Sequence, residues 1–258
     1  MKPFLTHEHP LRFAHRGSRV LWPENTMMAF QGAVDLGYRY LETDLHVSRD
    51  RRVVIFHDDT LERLTNGIGR FWDHDWERLQ TLDAAHQFDK AGGYPLRGRG
   101  IQMPLLEEAL RTFPDGMFNL DLKQPRIEAV VAEEVRRLGA EDRVLIGSFH
   151  DARIRHFREI TEGRVATSAG PREISRAVSA SYARRSAAGT SDALQVPERI
   201  ATKRLVDATH RAERQVHVWT VNDPAAMRRL LDTGVDGIIT DRPDLLNEVV
   251  FGNPLPPR

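Results

Sequence analysis

Short apolar, β-rich runs alternate with amphipathic helical stretches along a chain of 258 residues. That alternation narrows the available folds more than any single motif does. Strand-like runs lie at 12–15, 40–47 with 53–57, 118–123, 144–149, 164–168, 192–196, 215–221 and 237–240. Most are unbroken apolar runs that end in polar residues, the pattern of strands buried on both faces of a parallel sheet. Helical periodicity fills 26–36, 105–113, 127–138, 151–160, 171–187, 198–212, 224–233 and 243–250. In the first helix Phe30, Ala33, Val34 and Gly37 recur at i, i+3, i+4 and i+7, with Gly37 set to close it. Ile127, Val130, Val131 and Leu138 form a similar stripe before Gly139, and Pro171, Pro224 and Pro243 stand where a first helical turn accepts proline. About eight strand–helix units in roughly 250 residues predict an α/β protein of the (β/α)8 TIM-barrel class. The competing doubly wound sheet expects G-x-G-x-x-G after its first strand, and the chain has no such loop there.

One stretch departs from the rhythm. Residues 58–116, with TNGIGRFWDHDW and AGGYPLRGRG, carry too many glycines and aromatics for a plain crossover. They predict an insertion after the second strand, at the barrel face that carries active sites, within a single domain spanning 1–258. Lys+Arg and Asp+Glu are both 37, so there is no global basic charge for nucleic acid to follow. No apolar run is long enough for a transmembrane span, and MKPFLTHEHP lacks the apolar core of a signal peptide. A cytoplasmic location is therefore expected. The chain has no cysteine, which removes thiol nucleophiles and thiolate metal sites. Nothing in the composition argues against a homo-oligomer.

In a barrel the chemistry sits at the C-terminal ends of the strands. His15 and Arg16 follow the first strand; Glu42, Asp44 and His57 come from the second strand region; Asp121 and Lys123 come from the third. Glu42 and Asp44 are two apart, as are Asp121 and Lys123, so each pair shares one face of its strand. Three carboxylates in one mouth repel unless a cation neutralises them, and all-oxygen ligands suit Mg²⁺ or Ca²⁺. Two histidines beside such an ion suit general acid–base work, and Arg16 and Lys123 suit a phosphate. The combination points to phosphodiester cleavage. Taken singly, E-x-D reads as a solvated face, D-x-K as an ion pair, and the ENT turn at 24–26 as a helix cap with Asn25 or Thr26 as N-cap.

The segments FAHRG, PENT, LETDLHVSRD, VVIFHD and LERLT, followed by FNLDLK, VHVWTVND and GVDGIITDRPDLL, resemble the glycerophosphodiester phosphodiesterase family, whose fold is a phospholipase-C-like TIM barrel. The resemblance runs from Phe13 to Leu246. It implies His15 and His57 as the acid–base pair and Glu42, Asp44 and Asp121 as ligands of a divalent cation. It also implies Arg16, Glu24, Lys123 and Trp219 at the substrate, with Glu24 orienting the arginine or standing near the metal. Asp121 occupies a position that is usually glutamate in the family, so the ion is expected closer to the third strand or held through water. The implied reaction releases glycerol 3-phosphate and an alcohol, through attack of the glycerol 2-hydroxyl and a cyclic phosphate. Two other readings remain at this point. One is a lysophospholipase D acting on lysophospholipid or sphingoid diesters, for which Phe71, Trp72, Trp76 and Tyr94 of the insertion would form an apolar rim unless they pack it onto the barrel. The other is a barrel that binds a phosphodiester without turnover. His7 and His9 are expected in a frayed terminus, and His74, His86, His150, His156, His210 and His217 have no ligand spacing.

Overall fold

The computed structural model describes residues 1–7 and 9–252. Strand alternation decides what faces inward. In β1 (Leu11–His15), β2 (Tyr40–Val47) and β4 (Met117–Leu122) the residues Ala14, Leu41, Leu45, Phe118, Leu120 and Leu122 join the outer apolar layer. Their neighbours Leu11, Phe13, Tyr40 and Met117 fill the inside. The polar residues His15, Glu42, Asp44, Asn119 and Asp121 share that inner face, one level nearer the strand ends, and all line one cavity.

The remaining parallel strands are β5 (Val144–Gly147), β6 (Ala166–Thr167), β7 (Ala193–Pro197), β8 (Gln215–Trp219) and β9 (Gly237–Thr240). They neighbour one another in the order β6-β5-β4-β2-β1-β9-β8-β7. A parallel bridge between Ser168 and Ala193 joins the two ends, helped by the Ala169 N–H donating to the Ala193 carbonyl at 2.8 Å. The predicted eight-stranded barrel is what forms. The antiparallel β3 (Val53–Ile55) folds back on β2, and the Phe56 N–H donates to the Asp44 carbonyl at 3.0 Å. That hairpin returns His57 to the level of Asp44.

Outside the barrel lie α1 (Met27–Asp35), the short α2 (Trp76–Leu79), α3 (Leu106–Thr112), α4 (Glu128–Arg137), α5 (Asp151–Ile160), α6 (Pro171–Tyr182), α7 (Lys203–His210), α8 (Pro224–Thr233) and α9 (Pro243–Phe251). Their apolar stripes, among them Phe30, Leu110, Val131, Phe157, Leu205, Met227 and Leu246, bury against the strands. Among the described residues no helix is long and apolar enough to cross a membrane.

Four sequence expectations need correction. The strand expected at 164–168 shrinks to Ala166–Thr167: the Arg164 N–H closes a turn on the Thr161 carbonyl at 2.9 Å, and Ser168 forms only an isolated bridge to Ala193. The helix expected over 171–187 stops at Tyr182, and Arg184 turns the chain with φ +55. The helix expected over 198–212 divides into a 3-10 turn, Glu198–Ile200, and α7, because the Thr202 side chain accepts the Leu205 N–H and starts a new helix. The N-terminus is not frayed. Pro3–Leu5 form a 3-10 turn that closes the barrel floor with buried Phe4 and Leu5. Tyr40 donates its hydroxyl to the Phe4 carbonyl at 2.6 Å, and the Gln215 amide donates to the Leu5 carbonyl at 2.8 Å. Two apolar residues are too few to show a period.

Within the 58–116 stretch, α3 belongs to the main core. The part before it builds a second apolar cluster over the hairpin, from Phe56, Leu61, Phe71, Leu79, Leu82 and Met103.

His217 lies on the inner face of β8, fully buried beside the Phe13 ring with centroids 4.9 Å apart. Burial pushes its imidazole down to about 4. The unfolded chain takes up this proton near 6.5 and the folded chain only near 4, so its contribution is complete above 6.5 and lost as pH falls to 4. The loss is about 3 kcal/mol. Urea unfolding of the wild type and His217→Gln at pH 7 and pH 4.5 checks this: the variant should lose less stability on acidification, and equal losses would refute the assignment.

Candidate active site

Register aligns the inward polar residues into two layers. His15 pairs with Glu42, and Glu42 with Asn119; above them Asp44 pairs with Asp121, and Asp121 with Gly147. Adjacent strands are about 4.8 Å apart, so residues far apart in sequence become neighbours across four strands. They open into a cavity of about 660 Å³.

The segment 15–26 forms one wall. Arg16 takes φ +55, and its N–H donates to the Glu42 carbonyl at 2.8 Å. Gly17 follows at φ +78, where a Cβ would stand 2.6 Å from Ala29, so only glycine lets α1 approach the loop this closely. Each residue of the ENT turn then has its own task. Glu24 accepts from Arg16 Nη1 at 2.6 Å and from Arg63 Nη1 and Nη2 at 3.0 and 2.8 Å. The Asn25 amide donates to Asp44 at 2.9 Å. Thr26 caps α1 by accepting the Ala29 N–H at 3.2 Å. Glu24, expected beside the substrate, is not in the cavity lining; the two guanidiniums hold it behind Arg16 and keep it ionised below its usual range, against the opposing effect of burial.

Both histidines are anchored in the same way. His15 Nδ1 lies 2.6 Å from Asp241 Oδ1, and His57 Nδ1 lies 2.5 Å from Asp58 Oδ1. A carboxylate on Nδ1 retains the proton there and leaves Nε2 as the reactive nitrogen. His15 Nε2 stands 3.7 Å from Glu42. Burial works to lower the His15 pKa, but Glu42 and Asp241 outweigh it and hold the group raised. Asp241 is itself steadied by Asn222 at 2.9 Å and Arg19 at 3.1 Å, and Asp58 by Arg63 at 2.9 Å.

The carboxylates differ sharply from one another. Asp44 is 1% exposed and is held well below the usual range: burial opposes ionisation, and Lys123, Arg16 and Asn25 overcome it. Lys123 Nζ bridges Asp44 at 2.9 Å and Asp121 at 2.6 Å, and these two raise its pKa against burial. Glu42 is pushed up to about 7, chiefly by burial, with the Asp44 charge adding to it. Among the described residues no group of three acidic or histidine side chains is drawn together tightly enough to grip an ion; Lys123 stands between two of the three expected ligands. The donor set nevertheless fits a hard cation. It is all oxygen, Glu42 accepts a hydrogen bond from the Arg16 N–H at 3.2 Å, and the buried Asp121 Oδ1 has no partner.

Trp219 lines the cavity, edge-on to Phe149 with centroids 5.6 Å apart. Ile174 and Ile200 extend this apolar half of the mouth. The aromatics of 58–116 do not. Phe71, Trp72 and Trp76 pack in the second apolar cluster, and Tyr94 lies under the Arg97 guanidinium at 3.6 Å; none of them lines the cavity.

The sequence profile of the glycerophosphoryl diester phosphodiesterase family matches residues 15–245. The chain belongs to that family. It is similar to a protein of Mycobacterium tuberculosis named probable glycerophosphodiester phosphodiesterase 2, with 39% identity over 96% of this chain and 93% of the other. It is also similar to the glycerophosphodiester phosphodiesterase of Bacillus altitudinis, at 33% identity over 90% and 94% of the two chains. The crystal structure of a glycerophosphodiester phosphodiesterase from Agrobacterium tumefaciens superposes with a TM-score of 0.77, at 26% identity, covering 91% of this chain and 97% of that one. The expected resemblance, the barrel and the phosphoric diester hydrolase class all hold. Asp58, Asp241, Arg63 and Asn25 had no assigned site role in the sequence reading. Asp241 was legible by the same rule that selected His15, a polar residue at a strand end. Asp58 adjoins His57 in the chain itself, whereas Arg63 becomes relevant only once the fold brings it against Glu24.

Proposed function

We propose that this family member cleaves glycerophosphodiesters by paired histidine catalysis at the barrel mouth. The observation that carries the reading is the matched pair of carboxylate-anchored imidazoles, His15 and His57, in one cavity with Arg16, Lys123 and three carboxylates. Glu42, Asp44 and Asp121 would hold a divalent cation, Mg²⁺ or Ca²⁺, which when bound polarises phosphoryl oxygens and offsets charge in the transition state. One histidine accepts the proton of the glycerol 2-hydroxyl as its oxygen bonds to phosphorus. The other protonates the departing alcohol as the P–O bond breaks. Water then opens the cyclic phosphate with the two roles exchanged, giving glycerol 3-phosphate. Arg16 and Lys123 steady the phosphoryl charge throughout. Chain 1–258 acts in this reading as one catalytic domain carrying an insertion after the second strand.

Glycerophosphocholine should be hydrolysed to glycerol 3-phosphate and choline. Chelation should abolish turnover, and Mg²⁺ or Ca²⁺ added separately should restore it. Full activity in excess chelator would refute the cation. The apolar half-wall of Phe149, Ile174, Ile200 and Trp219 favours a second reading, an acylated glycerol phosphodiester. Assaying lysophosphatidylcholine beside glycerophosphocholine separates the two.

A further inference from the structure

His46 carries a buried polar ring that the proposed chemistry leaves unused. It follows Glu42 and Asp44 at the same spacing of two, so it shares their face of β2, one level beyond Asp44. Unlike them it is fully buried and lines no part of the active-site cavity. Aromatic rings cover it, with centroids 5.0 Å away for Phe71, 6.0 Å for Trp72 and 6.4 Å for Phe56. A phenyl ring would suit that seat without the cost of burying a polar group. What the imidazole adds is a donor. Its Nε2 lies 3.2 Å from the His57 carbonyl oxygen, and a carbonyl only accepts, so Nε2 carries the proton.

His57 lies just past the end of β3, where no strand ladder holds it. Among the described residues the bond from His46 is the single hydrogen bond to the His57 main chain. The residue before it is tied to the barrel, through the Phe56 N–H on the Asp44 carbonyl. Asp58 fixes the rotation of the His57 ring, but it is the next residue of the same segment and moves with it. Arg63 links Asp58 to Glu24, a side-chain contact that leaves the peptide at 57 unheld.

We propose that His46 is a positioning residue: from its aromatic seat it holds the His57 peptide at the height from which the His57 ring reaches the substrate. The inference rests on the acid–base role proposed above for His57. It also links Phe71 and Trp72, which line no part of the mouth, to the chemistry inside it.

His46→Phe keeps the aromatic seat and removes the donor. It should lower kcat for glycerophosphocholine by roughly 10- to 100-fold, the cost of displacing a reacting group by about 1 Å. KM should stay within about twofold of wild type. His46→Gln, whose amide nitrogen can donate to the same carbonyl, should recover kcat to within about threefold. His46→Met also lacks the donor and supplies the answer if His46→Phe fails to fold. In a His57→Ala background His46→Phe should change turnover by less than about twofold, because its effect passes through a ring no longer present. A kcat near wild type in both donor-less variants, a His46→Gln protein no faster than His46→Phe, or the same loss with and without His57 overturns the proposal. A wild-type protein that cleaves no glycerophosphodiester overturns the proposed reaction instead. The His57 ring signals, assigned by NMR from their absence in His57→Ala, then test the positioning alone. They should be one sharp set in wild type and His46→Gln and broadened in His46→Phe and His46→Met; a sharp set in all four overturns it.

Discussion

His15→Ala and His57→Ala should each lower glycerophosphocholine turnover by roughly 10²- to 10⁴-fold while the barrel stays folded. Both rings line the mouth, and neither belongs to the apolar clusters that hold the barrel together. What is lost is a positioned proton carrier. Each imidazole is locked by a carboxylate on Nδ1, so no rotation of a neighbour replaces Nε2. Steady-state release of glycerol 3-phosphate, with circular dichroism to confirm folding, measures the effect. Near wild-type turnover in both variants would refute the paired-histidine reading. Asp241 and Asp58 act as positioning residues in the same scheme.

Asp44→Ala should cost about 3–5 kcal/mol of stability and remove activity as well. Asp44 is the buried hub of the site: Lys123 at 2.9 Å, Arg16 at 3.1 Å and the Asn25 amide at 2.9 Å all converge on its two oxygens. Removing the carboxylate leaves a buried guanidinium and a nearly buried ammonium with less compensating charge, and breaking one side of such a pair costs far more than the intact pair contributes. Urea unfolding at pH 7 checks the value. A loss of less than about 1 kcal/mol, the ordinary size for a point substitution, would show that Glu24 and Asp121 carry the two cations without it.

Much of this site was legible in the chain itself because strand alternation is a local property. Spacing two apart put Glu42 and Asp44 on one face and Asp121 and Lys123 on one face, and the polar ends of apolar runs marked the mouth. Of the two tasks expected of Glu24, orienting the arginine or standing near the metal, its contact with Arg16 matches the first, while its second partner, Arg63, was not legible. The N-terminal plug, the short β6 and the side of the mouth that carries the apolar wall were not legible. Each depends on which partners the backbone groups find after closure.

The sequence by itself determined the number and order of the strand–helix units, the inward face of each strand and the set of titratable groups at the strand ends. Tertiary structure alone decided who meets whom. Asp241 reaches His15 across 226 residues because the last strand must pair with the first for the barrel to close. Lys123 settles between Asp44 and Asp121, and Gly147 comes level with Asp121, because parallel register sets β2, β4 and β5 at fixed heights. Periodicity is fixed over a few bonds, whereas register is fixed by packing the whole ring.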